Sequence, residues 1–340
     1  MRIHFLLLGL LCGFESAVSQ EGSLTFQLDN DLFANTDKDY TNGARLSYIT
    51  GGRKASDFTE MESWLESVQT RAPDIITGLY APEDPVYNYG FSITQLMFTP
   101  TDFEPLEPPL GQHPYVGWLA LGFSLHAKDA NATNSIELSL GTTGHNAFAE
   151  TTQDFVHSVR GIEKFNGWDS QMPSELTVNL FFTQKRRLFN DEPTDSFFGI
   201  DGFGEWRVAL GNYKTGLDIG FVTRVGFNLP VEFSDPRLGT TSYSHDIFDT
   251  QLTNTSNWSV YGLFGARTSA IWRDITLDGP MFREFDMGIR KEGLLSEAYI
   301  GGAIRFRKWE LSYAHTFRTK EFKEQPNGVQ FGSLALRIRY

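Results

Sequence analysis

Cysteine is nearly absent: among 340 residues only Cys12 carries a thiol. It lies where Arg2 precedes the apolar run Phe5 to Cys12 and the small residues Ala17 and Ser19 follow. That order predicts a secretory signal peptide over residues 1–20 and a single working domain over 21–340. The mature chain then has no cysteine, which excludes a disulfide scaffold, a thiolate nucleophile and a Cys-ligated metal. Export without disulfides suits a bacterial envelope protein.

Long apolar runs are missing too. Beyond the leader, no stretch approaches the roughly 18 to 20 apolar residues that a membrane-spanning helix needs. A soluble exported protein or a transmembrane β-barrel remains, because alternating lipid-facing and lumen-facing residues leave a barrel's mean hydropathy ordinary. Basic charge is also scarce: 29 Lys and Arg against 42 Asp and Glu leave a net −13. Such a surface repels phosphate, so no nucleic-acid partner is expected. What abounds is aromatic, with 29 Phe, 12 Tyr and 7 Trp, and a chain this apolar is not disordered.

Period-two alternation, bounded by Gly, Asn, Asp and Pro clusters, recurs along the chain. Leu24, Phe26 and Leu28 alternate with Thr25, Gln27 and Asp29 in a first strand. Others are expected over Thr41–Thr50, Tyr87–Phe98, Tyr115–Ala127, Ser135–Gly144, Ser174–Leu188, Ser196–Gly211, Leu217–Pro230, Trp258–Leu277, Leu295–Arg307, Trp309–Arg318 and Val329–Tyr340. Twelve is an even number, as closure of an antiparallel bacterial barrel requires. The last strand alternates Leu334, Leu336, Ile338 and Tyr340 with Ala335, Arg337 and Arg339, resembling the signal read by the barrel assembly machinery. The expected fold is therefore all-β, a twelve-stranded antiparallel transmembrane barrel, preferred over a soluble β-sandwich with the same alternation. Asp57–Gln69 has helical apolar spacing, predicting a short helix that plugs or packs under the barrel. A second short helix is expected in the outer loop between strands 5 and 6.

With a periplasmic N-terminus, connections 1–2, 3–4 and 5–6 face outward. Asn30, Asp31, Thr41 and the 144–173 segment then share one rim. Asp29, Asn30 and Asp31 with Asn35, Asp37 and Asp39 offer oxygen ligands to a hard cation such as Ca2+, without being an EF-hand, and equally suit a solvated Asx-rich turn. His157 is one of seven histidines. Gln153 lies one helical turn before it, and Glu163 and Trp168 follow. Such a His could deprotonate water beside a carboxylate-held cation, or be structural.

These residues resemble the outer-membrane lipid A 3′-O-deacylase (LpxR) family. The resemblance is carried by Leu28-Asp29-Asn30-Asp31-Leu32-Phe33, Thr36-Asp37-Lys38-Asp39-Tyr40-Thr41-Asn42-Gly43, Thr152-Gln153-Asp154-Phe155-Val156-His157 and Gly167-Trp168-Asp169-Ser170-Gln171, with Pro114-Tyr115-Val116-Gly117-Trp118 at the entry to strand four. It implies a twelve-stranded barrel in the Gram-negative outer membrane. The active site would lie near the outer surface, between the wall and a short helix. The implied reaction is Ca2+-dependent hydrolysis of the ester that holds the 3′ acyloxyacyl chain on lipid A of lipopolysaccharide.

By the same resemblance His157 is the general base, Asn30 orients the site or contributes to the oxyanion environment, and Asp31 binds Ca2+. Thr41 positions water, ion or substrate, or acts as a rival nucleophile, while Gln153 and Glu163 support. One departure stands out: no lysine occurs between Lys54 and Lys128, so the loop after strand three reads Thr99-Pro100-Thr101-Asp102-Phe103-Glu104. A monomer is expected. The alternatives are an outer-membrane phospholipase, whose His-x-Ser motif is missing, and a non-enzymatic barrel acting as a narrow pore or structural protein.

Overall fold

The computed structural model describes residues 22–31, 39–54, 85–161, 164–190, 197–232, 235–238 and 256–340. Among them the alternating segments form β1 (Ser23–Asn30), β2 (Asp39–Ile49), β3 (Val86–Thr99), β4 (Val116–Lys128), β5 (Ala132–Thr143) and β6 (Leu176–Asn190). The second half supplies β7 (Phe198–Gly211), β8 (Lys214–Phe227), β9 (Trp258–Asp274), β10 (Leu294–Phe306), β11 (Trp309–Arg318) and β12 (Val329–Arg339). Each strand pairs antiparallel with its sequence neighbours, and β12 returns to β1 to close the barrel. Gly22 and Tyr340 exchange backbone hydrogen bonds of 3.0 and 3.1 Å, marking the lower rim. Connections β1–β2, β3–β4 and β5–β6 therefore lie at the upper rim.

The expected helix between strands 5 and 6 is α1 (Ala149–Arg160). The expected signal peptide and the Asp57–Gln69 helix fall outside the described residues. Strand ends depart from the alternation where lumen charges extend or cut it. β8 starts three residues early because Lys214 turns inward and pairs with Asp274 at 3.5 Å. β9 stops at Asp274, short of the expected Leu277, because that carboxylate accepts from the backbone N–H of Thr276 at 3.0 Å and its hydroxyl at 2.6 Å. This caps the single-turn helix α2 (Ile275–Asp278).

Burial is inverted relative to a soluble sheet protein. Phe26, Leu46, Leu121, Leu140, Phe264 and Ile300 are exposed, while Gln27, Arg45, Glu205, Arg224 and Arg267 are buried. A contiguous apolar exterior of this extent would aggregate in water and is satisfied by lipid, which decides between barrel and sandwich. Phe197, Phe198, Phe227, Trp258, Phe306 and Trp309 gather at the lower ends of β7 to β11, where an interfacial aromatic girdle belongs.

Inside, charge is compensated. Arg318 reaches Glu297 at 2.6 Å, Arg237 reaches Glu297 at 3.3 Å, Arg224 reaches Asp201 at 2.6 Å, Arg45 reaches Glu137 at 2.9 Å, and Arg267 pairs with Glu205. Each ion keeps a partner, which a low-dielectric lumen demands. Residues 228–232 and 235–238, following β8, fold up into the same lumen. Arg224 donates to the carbonyls of Glu232 (2.6 Å) and Pro230 (2.8 Å), and the Gln27 amide lies 3.3 to 3.4 Å from those of Asp235, Pro236 and Arg237. The barrel is thus a filled wall, whose upper exterior carries α1.

Candidate functional site on the outer wall

Four outward positions share one row across the upper wall. Asn30 pairs with Asn42, Asn42 with Met97, and Met97 with Gly117. Between Tyr40, opposite Phe98, and Asn42, opposite Met97, Thr41 is the extra residue of a β-bulge. A bulge re-aims a side chain, and here it turns Thr41 to the outer face, where its hydroxyl lies 2.7 Å from that of Thr99. Asp31 continues β1 into the rim and is fully buried.

α1 starts where the row ends. An ideal Cβ at Gly117 would lie 2.6 Å from the Ala149 Cβ, so only glycine lets the helix meet the wall there. The helix contacts β4 and β3. Glu150 in the first turn favours the N-terminus, and Gly161, at φ 67°, ends the helix in the left-handed conformation.

The faces of α1 are inverted like those of the barrel. Ala149, Gln153 and His157 form the buried stripe at i, i+4 and i+8, whereas Phe155 and Val159 are 68% and 70% exposed. Gln153 and His157 face the protein while Phe155, Val156 and Val159 face outward, as suits a helix at a lipid surface. Gln153 Oε1 accepts from the Trp168 indole N–H at 2.6 Å, which fixes that amide. The His157 ring meets Phe165 edge-on at 5.1 Å, and Phe165 stacks on Phe103 at 4.4 Å. Met97, Tyr115, Ala149, Phe165 and Trp168 form one buried cluster beneath the helix. Burial pushes the Tyr115 hydroxyl up to about 12, so it stays neutral at physiological pH.

The structure thus places His157 and Gln153 on one helix face, Asn30 and Thr41 on the upper outer wall at the β1–β2 pair, and Asp31 at the rim just beyond β1. Glu163 lies outside the described residues. The loop that lacks a lysine contributes Phe103 to the packing around Phe165 instead. Sequence reasoning missed this aromatic clamp, the Gln95 amide that donates to the Ala147 carbonyl at 2.7 Å, and the Gln171 contact of 3.0 Å to His145. Only the aromatic residues in the quoted motifs hinted at them. A separate His126 chain, 2.9 Å from Ser124 Oγ and 2.7 Å from Ser135 Oγ, is buried on the lumen side and away from lipid.

For metal binding, Asp31, Asn30 and Thr41 offer oxygen donors only, the class that Ca2+ selects over softer metals. Among the described residues, no group of three or more His, Cys, Asp or Glu is placed to hold a metal by itself. Neutral oxygens from Asn, Thr or backbone would therefore have to complete such a site beside Asp31.

Comparison with known proteins agrees with this architecture. A family model described as "Outer membrane protein LpxR" matches residues 5–340. No curated protein sequence matches. LpxR from Salmonella typhimurium superposes with a TM-score of 0.72 at 16% identity, covering 93% of this chain and 99% of that one. The β domain of the Bordetella autotransporter BrkA reaches only 0.42 at 10% identity, over 95% and 100% of the two chains. The chain belongs to the LpxR family, and its barrel is a Gram-negative outer-membrane protein.

Proposed function

We propose that this protein is a Ca2+-dependent lipid A 3′-O-deacylase, hydrolysing the ester of the 3′-linked acyloxyacyl chain of lipopolysaccharide lipid A at the outer face of the membrane. One observation carries the reading. Gln153 and His157 are buried on one face of a helix that lies on the upper outer wall, held by Trp168 and Phe165, while Phe155 and Val159 turn outward. A general base and oxygen donors at a lipid-facing surface suit an ester substrate that arrives from the bilayer, not from the aqueous lumen.

In this reading His157 takes the proton of the attacking water, and the tight packing of α1 holds the imidazole in place. Gln153, fixed by Trp168, sets the helix face, and Asn30 donates its side-chain amide toward the developing oxyanion. Thr41, re-aimed by the bulge, orients water or the substrate carbonyl. Asp31 with the neighbouring amide and hydroxyl oxygens would hold Ca2+, which supplies Lewis-acid polarisation of the ester when bound. The strand ending at Tyr340 serves as the signal read by the barrel assembly machinery.

The test is expression in a Gram-negative host followed by mass spectrometry of lipid A. Loss of the mass of the 3′ acyloxyacyl group in Ca2+-replete medium is the expected result. Unchanged lipid A with released phospholipid fatty acid would replace this reading by the phospholipase alternative.

Gly117 provides a geometric check. In Gly117→Val the new side chain would drive α1 off the wall. A displacement near 1 Å lowers kcat by about tenfold to 100-fold, while the barrel still shows its heat-dependent electrophoretic shift. Full turnover in that variant would mean that the helix does not set the reacting geometry.

A further inference from the structure

The residues that precede Asn30 and Thr41 point the other way, into the lumen. Asp29 and Tyr40 are both fully buried, and the Tyr40 hydroxyl donates to Asp29 Oδ2 at 3.2 Å. Asp29 Oδ1 accepts from the backbone N–H of Leu238 at 3.1 Å. Leu238, in the in-folded segment, joins the buried cluster of Tyr40, Leu96, Phe98 and Phe331. A hydrogen bond therefore ties the two strands at the positions just before their site residues, and a segment entering from the lower rim seals that tie.

The segment is itself held from several strands. Arg237 chelates Asp235 at 2.6 Å, reaches Glu297 at 3.3 Å, and covers the Tyr299 ring at 3.4 Å. Arg318 joins Glu297 to the Tyr40 ring, which it approaches to 5.5 Å. An Asp at position 29 is costly to bury and unnecessary for closing a barrel, whose inward positions elsewhere accept Thr25 and Gln27. Its two oxygens instead serve two donors, one from each side of the gap between wall and segment.

We propose that Asp29 is a positioning residue for the outer site, acting with Tyr40 and the lumen segment that carries Leu238. Successive residues of a strand point to opposite faces, so pinning Asp29 inward fixes the backbone that aims Asn30 outward. Pinning Tyr40 does the same for the bulge that presents Thr41. The lumen segment is then a brace reaching from the lower rim to the inner side of the catalytic wall. This rests on the deacylase reading for its kinetic arm only.

The experiment uses the full-length barrel, folded in detergent, with Tyr40→Phe, Asp29→Asn and Gln27→Leu. Tyr40→Phe keeps the packing and deletes one hydrogen bond, and Gln27→Leu loosens the segment without touching Asp29. Expected are an approximately tenfold fall in kcat with KM within twofold for Tyr40→Phe and Asp29→Asn. Hydrogen exchange should accelerate at least about fivefold in peptides covering Leu28–Asp31 and Asp39–Gly43 in all three variants, with α1 unchanged. Unaltered exchange in those peptides, or faster exchange with wild-type kcat, overturns the proposal. A wild type without deacylase activity sinks the preceding reading instead, and the exchange arm then decides the brace alone.

Discussion

His157→Ala is expected to lower the turnover of lipid A deacylation by about 10^3-fold, within the range of about 10^2 to 10^4 that positioned general bases contribute. The imidazole is 6% exposed, lies two turns from the wall anchor at Ala149, and packs against Phe165. Alanine is the best helix former, so the substitution removes the base without unwinding α1. A purely structural His157 would behave otherwise. Losing its packing on Phe165 would lower stability and leave kcat within a few-fold. Mass spectrometry of lipid A from cells, with single-turnover rates of purified protein in Ca2+, separates the two. An acylation pattern identical to wild type ends the general-base assignment, and Thr41→Ala in the same assay tests the rival nucleophile.

The second large effect concerns the ion. Chelation should reduce wild-type activity by about 100-fold or more, with Ca2+ restoring it better than Mg2+, whose tight octahedral shell suits a rigid carboxylate-poor site less. Asp31→Asn keeps the shape but removes the buried negative charge at the end of β1. Charge count tunes such affinities, so this variant should need about tenfold to 100-fold more Ca2+ for half-maximal rate. A titration of rate against free Ca2+ reads both. Activity indifferent to chelator, or an Asp31→Asn curve superimposed on wild type, removes the cation from the reaction.

The alternation of Leu24, Phe26 and Leu28 with Thr25, Gln27 and Asp29 was enough to place β1, because a strand's two faces meet different solvents and period two records that difference. The same held for the other walls, whereas α1 breaks the alternation and was expected only as a short helix between strands 5 and 6. Where β9 ends was not legible, since Asp274 reads as one more alternating residue until its carboxylate is seen to cap α2. Nor was the bulge at Thr41, which depends on Asn42 meeting Met97 across the strand pair. The segment before Leu238 has no periodicity, so nothing local announced that it fills the lumen.

Residue order alone therefore determined that the chain is an alternating β protein, with a short helix between strands 5 and 6 and Asn30, Asp31 and Thr41 at the same rim. Those properties follow from local period and composition. Only the closed barrel decided that Gly117 is the landing point of α1, that Gln153 and His157 turn toward the wall while Phe155 turns to lipid, and that Asp29 faces Leu238 209 residues away. Contacts of that sequence separation leave no periodic trace. They arise because closing the sheet gives every strand an inside and an outside, and what then occupies each side depends on segments distant in the chain.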